Sequence, residues 1–500
     1  MESTIIFILL SISTCFFYFL NSLSRRRKSG VITRLPPGPY PFPIIGNILK
    51  LGNKPHHSLA ALSKTYGPLM SLKLGTTTTI VVSSREIAQE FFLKHDVSFS
   101  SRSIPHVVNT HDHDKLSMAW LPVGDQWRKL RRISKEHLFV VRQLDASHLL
   151  RKEKVQQLVD HVQGYCDNGK PVNIGQTAAT TTLNVLSNFI FSIDLAQYDS
   201  RSSQDFKDLV WSLMEVGGKP NIADFFPVLR WLDPQGLLRK SNLYTGKILA
   251  IFEEYINKRL EERSSGSSDA SSSKDLLDLL LDMSENEQSL ISIDDIRHLL
   301  FDLFIAGTET TSSTLEWAMA ELIHNPEQMS KARSELEEVI GKEDRTFQES
   351  DISRLPYLHA IVKETLRLHP PVTFLLPHKA TKDVEIQGYI IPKDTQILCN
   401  LWGMGQDSNT WSDAQRFKPQ RFLDVGIDYK GRDLELIPFG TGRRICPGLP
   451  LAHRMLHLML GSLIYKFDWK IEEGMVMDMS DKFGMTLQKN LPLMAIPVKL

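Results

Sequence analysis

The chain has 500 residues, of which 42% are apolar and 23% charged, and its 58 basic and 58 acidic side chains cancel. That length supports one large core or two to three smaller ones, and a balanced charge gives no global field to draw nucleic acid. The four cysteines, Cys15, Cys166, Cys399 and Cys446, are far apart and lack metal-ligand spacing, which argues against a disulfide framework or a zinc site and fits a reducing compartment.

From Ser3 to Ser24 there is no charge, and "TIIFILLSISTCFFYFL" is almost wholly apolar. A helix needs about 20 such residues to cross a bilayer. Arg25, Arg26, Arg27 and Lys28 follow at once, and positive charge on that flank keeps it in the cytosol. A cleaved signal peptide would carry its charge before the apolar run and a small-residue site after it, and neither is present. The expectation is a signal-anchor transmembrane segment over 1–24. Residues 25–47 form a basic, proline-rich hinge, where Pro36, Pro37, Pro39, Pro41 and Pro43 in "RLPPGPYPFPIIGN" make a stiff extended spacer. A cytosolic domain follows over 48–500.

The fold class expected for that domain is mainly α with small β-sheets. The β-branched "TTTTIVVSS" (76–84) predicts a strand, and "VEIQGYIIP" (384–392) a second with a turn at Gly388. Apolar residues recur at helical spacing in 148–165, 240–262, 293–323, 327–340 and 356–368. "RSSGSSDASSSK" (263–274) is too polar to pack and is expected to be an internal surface loop. "HDHD" (111–114) is expected to face solvent rather than bind metal. No Walker motif occurs, and "GTGRRI" (440–445) lacks the third glycine and preceding strand of a dinucleotide site.

The densest signal is "PFGTGRRICPG" (438–448). Gly440, Gly442 and Gly448 permit a tight loop whose N–H groups can face the Cys446 sulfur. Nearby cations and the start of a helix in "LPLAHRMLHLMLGSLIYKF" favour a thiolate. Arg444 offers a planar fork suited to a carboxylate such as a haem propionate, and Phe439 is placed to pack on the sulfur or the ring. The pattern F-x-x-G-x-R-x-C-x-G is met at Phe439, Gly442, Arg444, Cys446 and Gly448.

With this loop the chain resembles the cytochromes P450, and further motifs agree. The resemblance implies haem b with Cys446 as the axial ligand of its iron. In "AGTET" (306–310), Glu309 and Thr310 match the family's acid–alcohol pair that relays protons, on a helix weakened there by one glycine and two threonines. In "KETLRLHPP" (363–371), Glu364 and Arg367 match a structural ion pair, completed by Arg421 of "FKPQRF" (417–422). Gln420 departs from the glutamate usual beside that arginine. Trp127 and Arg131 of "GDQWRKLRR" match propionate contacts. His378 stands where the family often has arginine, so its charge is expected to depend on pH. Arg128, Arg132 and Lys135 would leave a basic face for an acidic electron donor.

The resemblance implies monooxygenation: one atom of O2 enters the substrate and the other becomes water. No flavin module is visible, so electrons are expected from NADPH through a separate NADPH–cytochrome P450 reductase on the same endoplasmic reticulum membrane. "SFSSRSIP" (98–105), "LSMAWLPV" (116–123), "GKPNIADFFPVL" (218–229), "AGTETTSSTLEWAM" (306–319), "ELIPFG" (435–440) and "FGMTLQK" (483–489) are most similar to plant microsomal enzymes that oxidise terpenoids, including geraniol hydroxylases and ferruginol synthases. Trp120, Phe304, Ile305, Val372, Phe374, Leu375 and Met485 are expected to line an apolar substrate pocket. Oxidation of a phenolic or amino-acid-derived substrate is the first alternative. An oxygen-independent haem-thiolate isomerase and a haem-free interaction protein are the others.

Overall fold

The structure, a computed structural model, describes residues 35–198, 204–265, 275–285, 291–341 and 345–500. The expected membrane anchor, the basic run and most of the Ser/Gly loop lie outside them. Among the described residues, no helix is long and apolar enough to cross a membrane. The rest is mainly helical with small sheets, as the periodicities predict.

Eight helices position the site: α1 (Asp125–Ile133), α2 (His148–Asp167), α3 (Ile174–Phe191), α4 (Leu237–Ser264), α5 (Ile293–His324), α6 (Pro326–Ile340), α7 (Pro356–Leu368) and α8 (Leu449–Lys466). Proline opens α6 and α7 at the first helical position, where its missing N–H costs nothing. A reciprocal box opens α5, in which Ser292 accepts from the Asp295 N–H and Asp295 accepts from the Ser292 N–H, both at 3.0 Å. Most of α5 is buried, so it is a central helix rather than an amphipathic surface one.

The "AGTET" stretch does not loosen α5. The helix runs unbroken through it, and the Thr308, Thr310 and Ser312 hydroxyls donate back to the Phe304, Ala306 and Thr308 carbonyls at 2.9, 2.7 and 3.0 Å. Gly307 has a packing role: a Cβ there would lie 2.8 Å from Leu186 Cδ1 on α3, so glycine lets the two helices approach.

Among the described residues, twelve strands form small sheets. β1 (Leu69–Leu74), β2 (Thr77–Val82), β3 (Ser101–Arg102), β5 (His378–Lys379) and β8 (Gln396–Cys399) pair in the order β1-β2-β8-β5-β3. Leu69 opposes Val82 in the antiparallel β1–β2 pair, and Val82 lies beside Cys399 in the parallel β2–β8 pair. β4 (Val172–Asn173), β9 (Phe467–Lys470) and β12 (Met494–Lys499) form a second sheet, and β10 (Asp481–Lys482) pairs with β11 (Gln488–Lys489). β6 (Val384–Ile386) and β7 (Tyr389–Ile391) form a hairpin where the sequence predicts a strand with a turn at Gly388. Its turn residues Gln387 and Gly388 both have positive φ, 49° and 79°, as a two-residue hairpin turn demands.

The described part of the proline segment is not a free-standing spacer. It lies along β1: the Ser71 N–H donates to the Pro37 carbonyl at 2.8 Å and its hydroxyl to that of Pro36 at 2.6 Å. Gly38 is required there, because a Cβ would sit 1.9 Å from the Ser71 carbonyl oxygen.

Behind the future site, Glu364 and Arg367 are fully buried, paired at 2.7 and 2.8 Å, and Arg421 joins Glu364 at 3.1 Å. Gln420 does not weaken this lock. Its amide instead donates to Gln328 at 2.5 Å and to the Tyr357 hydroxyl at 3.1 Å.

Candidate active site

The loop 438–448 turns as its glycines allow. Gly440 and Gly442 have φ of 71° and 64°, and a Cβ on Gly442 would meet the Phe92 carbonyl oxygen at 2.7 Å. The Cys446 N–H donates to the Phe439 carbonyl at 2.8 Å, closing the loop. The sulfur opens onto an internal cavity and not to bulk solvent. The Gly448 and Leu449 N–H groups face it from the start of α8, as expected, and Arg131 adds a positive charge. These neighbours lower the thiol's pKa as expected, while burial, the larger influence, raises it on balance. A directly coordinated metal cation would favour the thiolate form.

Three guanidinium groups converge beside this thiol. Arg444, with carbonyl contacts to Ser100, Met118 and Leu121, stacks on the Trp127 ring at 4.7 Å. Arg131 donates to the Ile445 carbonyl. Arg102, which sequence reasoning missed, is buried and donates to the Leu376 and Ala119 carbonyls at 2.7 and 3.2 Å. None of the three forms an ion pair with a carboxylate among the described residues. Burial lowers the proton affinity of all three, and repulsion from neighbouring arginines adds to it at Arg102 and at Arg444, whose pKa falls to about 10. A buried group of cations with no counter-charge calls for an anionic ligand, and the two propionates of haem b supply that chemistry. The donor set therefore fits the group that the sequence implies.

His378 is buried next to these arginines. Its Nδ1 donates to the Phe99 carbonyl at 2.7 Å, and burial with the Arg102 charge pushes its pKa well down. It is neutral near pH 7 and its one N–H is spent on Phe99, which corrects both the expected pH-dependent charge and the expected hydrogen bond to a propionate. Arg128, Arg132 and Lys135 are exposed on or just after α1, as predicted.

One cavity of about 380 Å³ joins Cys446, the arginines and Thr310. Trp120, Ile305, Val372, Leu375 and Met485 line it, as predicted, and Phe439 sits at its base by the thiol. Two predicted lining residues do not. Phe304 points to the opposite side of α5, where its ring packs against Phe252, Phe206 and Phe191 at 5.1, 5.7 and 5.9 Å. Phe374 packs into the cluster under β1 and β2 and against Phe483 at 5.8 Å. Leu213 and Met214 line the wall instead, from a helix that no motif singled out.

Thr310 faces the cavity, but Glu309 points away from it. The Glu309 Oε1 accepts from Thr486 at 2.6 Å and from Gln488, while Oε2 is buried without a partner. Burial raises its pKa, partly offset by those two hydrogen bonds. Thr486 itself lines the cavity and connects the acid to it. At the other end, the "HDHD" expectation fails in part: His113 is buried, with Nδ1 2.9 Å from that of His298 and Nε2 3.4 Å from Asp302. Tertiary packing, invisible to the alternating pattern, turns it inward.

Comparison with known proteins agrees with this geometry. The family model described as Cytochrome P450 matches residues 36–496. Cytochrome P450 76T24 of Catharanthus roseus is 56% identical over 99% of each chain. Geraniol 8-hydroxylase of the same plant is 49% identical over 99% of each chain. Ferruginol synthase of Isodon rubescens is 45% identical over 96% of this chain and 98% of its own. A buried thiol on a glycine loop, an uncompensated arginine cluster and a match spanning the whole described body lead to one conclusion: the chain belongs to the cytochrome P450 family of haem-dependent monooxygenases, which take their electrons from NADPH through a reductase.

Proposed function

We propose that this monooxygenase hydroxylates a terpenoid, a monoterpenol or a diterpene, as a single-pass protein of the endoplasmic reticulum membrane with its catalytic domain in the cytosol. The observation that carries the substrate class is the cavity wall of Trp120, Ile305, Val372, Leu375 and Met485, apolar around Thr310. Such a wall selects a greasy skeleton by shape and burial, and relatives named for geraniol and ferruginol chemistry point the same way. The anchor and the cytosolic side rest on the apolar run before Arg25.

When bound, haem b supplies oxygen activation and transfer of one oxygen atom to the substrate. The chain's own residues do the rest. Cys446 would ligate the haem iron, Phe439 packs beside that thiol, and Arg444, Arg131, Arg102 and Trp127 would hold the propionates. Thr310 holds a proton donor at the cavity wall, and Glu309 replenishes it through Thr486. Glu364, Arg367 and Arg421 keep the thiol loop's support in place. Arg128, Arg132 and Lys135 receive the acidic face of NADPH–cytochrome P450 reductase, with the lipid surface orienting both proteins.

A phenolic or amino-acid-derived substrate is the second reading. It is favoured by His113 and Asp302, polar groups that line the same cavity as the apolar wall. Thr310 on the cavity wall speaks against an oxygen-independent isomerase, and the unpaired arginines speak against a haem-free protein. The test is a reduced carbon monoxide difference spectrum, followed by substrate-binding spectra with geraniol, an abietane diterpene and tyrosine. A thiolate-type Soret band with a response to a terpenoid alone is expected. A response to tyrosine alone would overturn the substrate class, and no Soret band would overturn the enzyme.

A further inference from the structure

On the side of the molecule away from the cavity, α7 and α8 bring three histidines together. His453 and His457 are one turn apart on α8, and His359 faces them from α7. Ring centroids lie 4.4 Å apart for His359–His457 and His453–His457, and 5.3 Å for His359–His453. One nitrogen from each ring lies within 4.8 Å of the other two.

Each ring already commits one nitrogen to an outer partner. His457 Nδ1 donates to the His453 carbonyl at 2.6 Å, which fixes its tautomer and leaves Nε2 as a lone pair. That Nε2 is fully buried and has no hydrogen-bond partner. His453 Nδ1 meets the Tyr429 hydroxyl at 2.5 Å, and His359 is directed at the Ile352 carbonyl. This is the outer-shell arrangement of metal-binding histidines, in which the non-ligating nitrogen is oriented by an oxygen. An orphaned buried nitrogen costs stability unless something occupies the point it faces.

We propose that His359, His453 and His457 bind one divalent transition cation of the zinc class, with three neutral imidazoles as ligands and a fourth position open to water. Burial first, and the neighbouring rings and cations next, keep all three histidines below their ordinary pKa, so lone pairs are present near pH 7. Nitrogens about 2 Å from a tetrahedral ion are about 3.3 Å apart, so small rotations of the two half-buried rings close the site. The groove between Asp145 and Tyr465, which His359 and His453 line, gives the ion its path and the water its place. Of the nearby cations, Lys430 is paired with Asp428 at 2.8 Å and Arg454 with Glu349 and Asp145, while Lys363, whose charge reaches His359 and His457, lies 5.9 Å from the Phe422 ring centre without a carboxylate partner among the described residues. A set of nitrogens without carboxylate or thiolate suits zinc, copper or nickel and not magnesium or calcium.

The ion would clamp α7, which carries Glu364 and Arg367, to α8, which starts directly after the Cys446 loop. Tyr429, bonded to His453, also packs 5.6 Å from Phe439 in that loop. The clamp is independent of the substrate proposal and of which reaction the cavity performs.

The test uses full-length haem-loaded protein made without a histidine tag, stripped of metal and dialysed against Zn2+ near neutral pH. One ion per chain is expected at low micromolar zinc, with a rise in melting temperature. His359→Gln and His453→Gln are each expected to weaken binding on the order of 100-fold and to abolish the thermal shift. His57→Gln is the control, because His56, His57 and Asp481 form a second group of potential ligands, and it should change nothing. No saturable binding below about 100 µM zinc, or binding lost in His57→Gln but kept in His359→Gln and His453→Gln, would overturn the proposal. Two separate ligand variants, checked by their haem spectra, guard against one that fails to fold.

Discussion

Removing the carboxylate of Glu364 should be the most damaging conservative change outside the cavity. Glu364 is fully buried and accepts four hydrogen bonds, two from Arg367, one from Arg421 and one from the Lys418 N–H. Glu364→Gln keeps the volume but turns an amide N–H toward Arg367, a cation that cannot lose its proton. Arg367 retains only neutral partners, the Gly405, Ala414 and Arg416 carbonyls. Breaking a buried pair from one side costs about 3–5 kcal/mol, which is roughly two to four orders of magnitude in the folded-to-unfolded ratio. Urea unfolding followed by tryptophan fluorescence measures it. Pairing Glu364→Leu with Arg367→Met should recover part of the loss, because the fully buried Arg367 charge leaves with its partner and only Arg421, at the edge of the lock, still lacks its carboxylate. A single-variant loss below about 1 kcal/mol would refute the account, since that is the range of an exposed pair.

Phe304→Ala should lower stability by about 3–5 kcal/mol, as a core cavity does, yet leave substrate affinity within twofold by spectral titration, since its ring faces Phe252 and not the cavity. Arg102→Leu should release haem about tenfold faster in a transfer assay, because one of three propionate-facing cations is gone. Retention at the wild-type rate would remove Arg102 from that role. Stability should fall on acidification. His298, His378, His453 and His457 have folded pKa values below the ordinary 6.5, those of His298 and His453 about 4, so the unfolded chain binds more protons. Stability is therefore full above 6.5 and drops as pH falls below it, by up to about 1.4 kcal/mol per pH unit for each fully buried ring. Urea midpoints that stay flat from pH 7 to 5 would contradict this.

Residues whose chemistry is local were legible in the sequence. The loop around Cys446 reads correctly because glycine spacing and residue type decide its turn, and the five long periodic helices appear within a few residues of their predicted bounds. The turn in 384–392 was visible for the same reason, through Gly388. What failed depended on direction or distance. Phe304 and Ile305 are neighbours in the sequence, yet a helix turns about 100° per residue, so one enters the core and the other the cavity. Arg102 carried no motif, because its role arises only when β3 meets Arg131 and Arg444 from distant segments. At the thiol the acidifying neighbours were legible, whereas burial, the larger influence on its pKa, is a property of the packed molecule.

Taken alone, the sequence determined the family, the glycine loop that carries the Cys446 thiol, the Glu364–Arg367–Arg421 lock and the Thr310 helix, because each is encoded in short runs whose residue types admit few other uses. The packed structure decided which apolar side chains face the cavity, that Glu309 turns toward Thr486 and Gln488, that Gln420 finds new partners, and that three histidines meet across α7 and α8. Those outcomes depend on helix rotation, desolvation and contacts between residues far apart in the chain, and no local pattern carries that information.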